Sequence, residues 1–131
     1  MKKSVLFVCV HNAGRSQMAA AMLENFADGL VEVRSAGSVP ADQVNPSAVE
    51  AMKVIGIDIS KSQPKILTDQ AVLDSDYVIT MGCGDSCPIY PGKKYLDWQI
   101  SDPADKSLAE VEVIRDEIEK RVRELLIEIM S

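Results

Sequence analysis

Histidine is almost missing from this sequence, and aromatic side chains are scarce: one histidine, one tryptophan, two phenylalanines and three tyrosines among 131 residues. With His11 the only imidazole and a spacing that matches no familiar knuckle, the chain offers no zinc site; the expectation is no metal and no tightly bound cofactor. Cysteine is present three times, as Cys9, Cys83 and Cys87, and an odd number argues against a disulfide framework. No apolar run approaches the roughly 18 residues of a membrane span. Lys2 and Lys3 resemble a signal n-region, but Val5 to Val8 is too short for its apolar core, so the cytoplasm is expected. An excess of basic residues is also lacking: Lys and Arg total 14 against 20 Asp and Glu, a formal net charge of -6. That opposes a nucleic-acid or anionic-membrane partner, while a local positive potential can still hold a small anion. There is no repeat, no low-complexity run and no linker, so residues 1–131 read as one domain.

What is present is an ordinary globular composition, 47% hydrophobic and 26% charged, enough for a core without staples. Val5 to Cys9 reads as a central strand apolar on both faces. Helical spacing follows from Ser16 to about Phe26, then an alternating strand from Val31 to Arg34 that ends at Ser35-Ala36-Gly37. Asn45-Pro46 opens a helix that runs to Ile55 and stops at Gly56. Thr68 caps a short helix holding Ala71 and Val72. Tyr77 to Met81 is a β-branched strand, and Tyr95 to Ile100 supplies a last, edge strand. Gly82 to Gly92 reads as an irregular surface loop. Val111, Ile114, Ile118, Val122, Leu125 and Ile129 mark one long amphipathic helix whose charged face, with Glu112, Glu119 and Arg123, looks to solvent. The alternation predicts an α/β three-layer sandwich on a mostly parallel four-stranded sheet. Ligands of such folds sit beyond the carboxyl ends of the strands, where the loops after Cys9 and Met81 meet.

The segment Cys9-Val10-His11-Asn12-Ala13-Gly14-Arg15-Ser16 joins a buried strand to a helix, with five residues between Cys9 and Arg15. A loop of this size can turn successive N–H groups inward as an anion nest. The helix start adds free N–H groups and its dipole, and Arg15 adds a planar fork suited to a tetrahedral oxyanion. The same field favours a thiolate at Cys9, with Ser16 placed to donate to the sulfur. Nucleophile and oxyanion site therefore share one loop, Val10 to Ser16. Asn12 pins that loop from inside, Ser35 braces it, and His11 reads as a structural hydrogen-bonder rather than an acid or base. Attack needs an acid for the departing oxygen; Asp102 is the candidate, with Asp97, Asp85 and Asp105 as competitors.

This loop resembles the active loop of the low-molecular-weight protein tyrosine phosphatases and of the arsenate reductases built on the same fold. The resemblance extends to Gly14-Arg15-Ser16-Gln17-Met18-Ala19, Ser35-Ala36-Gly37, Asn45-Pro46, Gly56-Ile57-Asp58-Ile59-Ser60 and the Asp102-Pro103 pair, which in both families carries the general acid. It implies a cysteine that attacks phosphate or arsenate and an arginine that binds its oxygens. Met81-Gly82-Cys83-Gly84-Asp85-Ser86-Cys87-Pro88 resembles the redox loop of the reductases and implies that Cys83 and Cys87 supply electrons. Ala104-Asp105 after Pro103 departs from the aromatic residue of the phosphatases.

Arsenate is thus the expected substrate, with phosphate or sulfate able to occupy the site, and a tyrosine phosphatase is the alternative; a phosphate-binding module is a third reading. The spacing of Cys83 and Cys87 is tighter than in thioredoxin-coupled members, so the donor is either thioredoxin or mycothiol with a mycoredoxin-like protein. Some thioredoxin-coupled relatives hold potassium near Asn12 and Ser35. Ala20 and Lys65 stand at the other positions here, which opposes that ion. Trp98 reads as core, Tyr90 and Tyr95 as cover for a loop or border of the site, and Lys93-Lys94 as solvated charge.

Overall fold

A computed structural model describes residues 2–82 and 89–131. Four strands, β1 (Lys3–Cys9), β2 (Val31–Gly37), β3 (Tyr77–Thr80) and β4 (Lys94–Asp97), form one sheet in the order β2-β1-β3-β4, and every pairing is parallel. The helices are α1 (Arg15–Ala27), α2 (Pro46–Val54), α3 (Asp69–Leu73) and α4 (Leu108–Met130). β1 is buried from Ser4 to Cys9 because both of its faces are covered. Val5, Phe7 and Cys9 face a core shared with Met18, Met22, Met52, Ile118 and Val122, from α1, α2 and α4. Leu6 and Val8 face a smaller cluster with Val72 of α3 and Val78. Three layers result, as the alternation of elements predicts. Trp98 belongs to the larger core, its ring centroid 5.8 Å from that of Phe7.

The chain leaves β1 for β2 on one side and returns to β3 on the other. The sheet's switch point therefore lies at the carboxyl end of β1, at Cys9. Every strand differs from expectation at one end or both: β1 starts at Lys3 rather than Val5, and β3 stops at Thr80 rather than Met81. β2 does not stop at Arg34 but runs to Gly37, because its parallel register with β1 holds as far as Cys9 opposite Gly37. The last strand stops at Asp97 rather than Ile100, since its partner β3 ends at Thr80. Along α4, Arg123 does more than face solvent: its guanidinium lies 4.2 Å from the centroid of the Phe26 ring and covers it. Arg115, buried, ties α4 to α2 by donating to the Ala51 carbonyl at 2.8 Å.

Candidate active site

The shape of the loop after β1 follows from where its carbonyls go. The N–H of Ser38 donates to Cys9 O at 3.3 Å, Val39 N to Val10 O at 2.8 Å, and Ala41 N to His11 O at 3.0 Å. Gln17 Nε2 donates to Asn12 O at 3.1 Å and Asn45 N to Ala13 O at 2.8 Å. Five consecutive carbonyls thus point outward onto donors from the segment after β2, the start of α2 and the first turn of α1. In a trans peptide the N–H points opposite to its carbonyl, and no peptide here is cis. The N–H groups of Val10 to Gly14 consequently face the concave side. Asn12 N shows this directly, donating to Cys9 Sγ at 3.2 Å. Asn12 itself sits at φ 49°, a left-handed conformation that asparagine tolerates better than most residues.

Cys9 stands at the floor of this cradle, 2% exposed. Its sulfur lies 2.9 Å from Ser16 Oγ, and Asn12 Nδ2 donates to the same Oγ at 2.7 Å. Ser16, having accepted from Asn12, has its own proton free for the sulfur, which the Asn12 N–H also meets. Arg15, 8% exposed, donates through Nη1 to Ile100 O at 3.3 Å and places Nη2 3.6 Å from Asp102 Oδ2. Gly82, just past β3, makes room for the guanidinium: at φ 91° a Cβ there would lie 2.6 Å from Arg15 Nη1. Asp102 is half exposed and its Oδ1 accepts from Ala104 N at 2.9 Å, a local turn that holds the carboxyl at the mouth. Cys9, His11, Arg15, Asn45, Asp102 and Pro103 line one cavity of about 40 Å³. The dimensions suit a small oxyanion, and a cysteine sulfur, an arginine and a carboxyl meet there.

His11 donates from Nδ1 to Val39 O at 3.0 Å, the structural bond expected of it. Tyr95 and Tyr90 brace one another through Tyr90 N to Tyr95 Oη at 2.6 Å, over the smaller core cluster. Cys83 and Cys87 lie outside the described residues. Ser35 sits in β2 opposite Phe7 and lines a different cavity, of about 390 Å³. Among the described residues no hydrogen bond joins Ser35 to the loop; Gln17 and the Lys65 amide, which residue type alone does not single out as braces, hold Asn12 instead. The potassium site of some relatives does not fit here. Asn12 Oδ1 already accepts from Lys65 N at 2.8 Å and Gln17 Nε2 at 3.1 Å, Ala20 offers no side-chain oxygen, and the Lys65 ammonium donates to Gln63 O at 3.1 Å.

A cysteine beneath a ring of inward amides, with an arginine and a carboxyl at its mouth, defines an enzyme that attacks oxyanions through sulfur. The sequence matches the low molecular weight phosphotyrosine protein phosphatase family over residues 4–131, and the chain belongs to it. Relatives within that family include arsenate reductases. One from Staphylococcus epidermidis is 38% identical over 125 residues, covering 92% of this chain and 94% of that protein. The thioredoxin-dependent arsenate reductase of Corynebacterium glutamicum is 51% identical with a TM-score of 0.88; the match covers 98% of this chain, which spans 62% of that longer one. An arsenate reductase solved in its phosphate-binding state is 33% identical over 97% of this chain and 98% of that one, with a TM-score of 0.86.

Proposed function

We propose that the chain reduces arsenate to arsenite, with Cys9 as nucleophile, Arg15 and the N–H groups of Val10 to Ser16 as the oxyanion cradle, and Asp102 as general acid. The cradle and Arg15 bind the oxygens while the thiolate attacks arsenic. Asp102 protonates the departing oxygen, which leaves as water, and a Cys9 S–As(V) bond forms. A second thiolate then attacks Cys9 Sγ. The S–As electron pair stays on arsenic, which departs as As(III), and a disulfide is left behind, so two thiolates have supplied two electrons. We assign the second thiolate to Cys83 and the resolving thiol to Cys87, which leaves a Cys83–Cys87 disulfide for thioredoxin to reduce. A chemistry that keeps thiols reduced between turnovers suits the cytoplasm.

The observation that carries this reading is the convergence of Cys9 Sγ, two donors to it and Arg15 with Asp102 in one small cavity. The Corynebacterium neighbour, described as thioredoxin-dependent, favours thioredoxin over mycothiol as donor. The test is arsenate turnover with thioredoxin, thioredoxin reductase and NADPH, set beside mycothiol with a mycoredoxin. Turnover with thioredoxin that is lost in Cys83→Ser and in Cys87→Ser is expected. Turnover only with mycothiol, surviving both changes, replaces the intramolecular relay by an external thiol. Failure with both donors, together with burst hydrolysis of an aryl phosphate, makes the chain a phosphatase.

A further inference from the structure

We propose that Gln17 is a positioning residue of the nucleophile loop, acting on the sulfur and on the oxyanion through two separate atoms of Asn12. The inference rests on the reading of Cys9 and its loop as an oxyanion site, and it concerns how that loop is held. Gln17 lies in the first turn of α1 and is 4% exposed. Its Nε2 is 3.1 Å from each of three oxygens: the carbonyl of Asn12, the side-chain Oδ1 of Asn12 and the carbonyl of Gln63. A buried amide that shares its two N–H donors among three acceptors is a strut between the loop and the 63–65 segment, not a space-filler.

Each of its contacts with Asn12 has a consequence at the site. Holding Asn12 O turns the Asn12–Ala13 peptide so that the N–H of Ala13 faces the cradle. Holding Asn12 Oδ1, together with Lys65 N at 2.8 Å, fixes the amide so that Nδ2 meets Ser16 Oγ at 2.7 Å. Ser16 then keeps its proton for Cys9 Sγ, 2.9 Å away. The third contact anchors the strut: Gln63 O also receives the Lys65 ammonium, at 3.1 Å. Without Gln17, an asparagine in left-handed backbone loses two of the bonds that hold it there, and both the oxyanion donor and the sulfur's donor lose their orientation.

The test uses Gln17→Met, which keeps the volume and removes both donors, and Gln17→Asn, whose amide is too short to span the same oxygens. Two readouts avoid arsenate turnover and any electron donor: the pH profile of Cys9 alkylation by iodoacetamide, resolved from Cys83 and Cys87 by peptide mass spectrometry, and inorganic phosphate affinity by calorimetry. The expected result in a folded variant is an alkylation rate at pH 7 lowered about ten-fold, with the profile moved to higher pH, and phosphate bound about ten-fold more weakly, the size of a lost hydrogen bond to a charged group. An unchanged Cys9 profile, or unchanged phosphate affinity, in either folded variant overturns the proposal. The Asn variant preserves the test should the Met variant fail to fold. Because neither readout needs turnover, the strut and the reductase reading fail separately.

Discussion

The two longest helices begin in opposite ways. α4 starts with a complete capping box: Glu110 N donates to Ser107 Oγ at 3.3 Å, and Ser107 N donates back to Glu110 Oε1 at 3.2 Å. α2 and α3 are also capped by side chains, from Asn45 and Thr68. Among the described residues α1 alone starts without a side-chain cap, at Gly14, with no acidic residue in its first turn. A helix end left without a partner is costly unless something else meets its N–H groups. In the function proposed above the missing partner at α1 is the oxyanion, and the open N-terminus faces the cavity under Asp102 and Pro103. On that proposal a side-chain cap is given up at the end where the anion binds and kept where none does.

The strongest way to break this contrast is to cap α1 as the other helices are capped. In Gly14→Asp a carboxylate would sit where the oxyanion binds. The Cβ would also lie 2.6 Å from Pro103 Cγ, so the Asp102-Pro103 loop must move. Like charge at about 4 Å in a partly desolvated site outweighs the ~1 kcal/mol that such a cap brings to a helix. Phosphate affinity is expected to fall by about two to three orders of magnitude, with arsenate turnover lost and the thermal shift produced by phosphate abolished. A variant that still turns over arsenate and is still stabilised by phosphate would show that the end of α1 is not the anion site.

Asp102→Asn sharpens the contrast by leaving the open helix end intact and removing the acid above it. The loss expected for a positioned general acid is about 10²- to 10⁴-fold in kcat. Phosphate affinity should hold or rise, because a negative charge 3.6 Å from Arg15 has gone. Steady-state kinetics beside calorimetry separates the two effects. A kcat within a factor of about two of the parent would transfer the acid role elsewhere.

How far the sequence foretells this site depends on which atoms do the work. Cys9, Arg15 and Asp102 carry distinctive side chains, and the apolar run of β1 with the helical spacing after Ser16 locates the loop between them. The donors that turn the loop's carbonyls outward are mostly backbone N–H groups, those of Ser38, Val39, Ala41 and Asn45, and a backbone N–H has no residue signature. Ser35 reads as a brace by residue type, yet in β2 it lines another cavity. Gln17 stands in the sequence only as part of the run Gly14 to Ala19, and its contacts with Asn12 are not legible there, since its burial is set by packing against the 63–65 segment and not by the helix's own pattern. The run to Gly37 in β2 is hidden for a similar reason: Ser-Ala-Gly has little strand preference, and its pairing with β1 makes it a strand.

The smallest effects are expected at the sealed end. Ser107→Ala should cost about 1 kcal/mol, a drop in Tm of about 2–6 °C for a chain of this length, with turnover unchanged. Glu110 carries a pH signature as well. The backbone N–H of Ser107, then its hydroxyl, hold the Glu110 carboxyl below its ordinary value. A carboxyl depressed in the folded state contributes stability at pH values above its unfolded pKa and loses it as the pH falls through the folded one. The amide of a Glu110→Gln variant cannot titrate, so the small Tm advantage of the parent over that variant at pH 7 should shrink as the pH drops below about 4. Thermal melts of the two proteins across that range decide the matter. An advantage that stays constant or grows on the acid side would mean that charge on Glu110 does not hold the start of α4, and the contrast between the two helix ends would then rest on Ser107 alone.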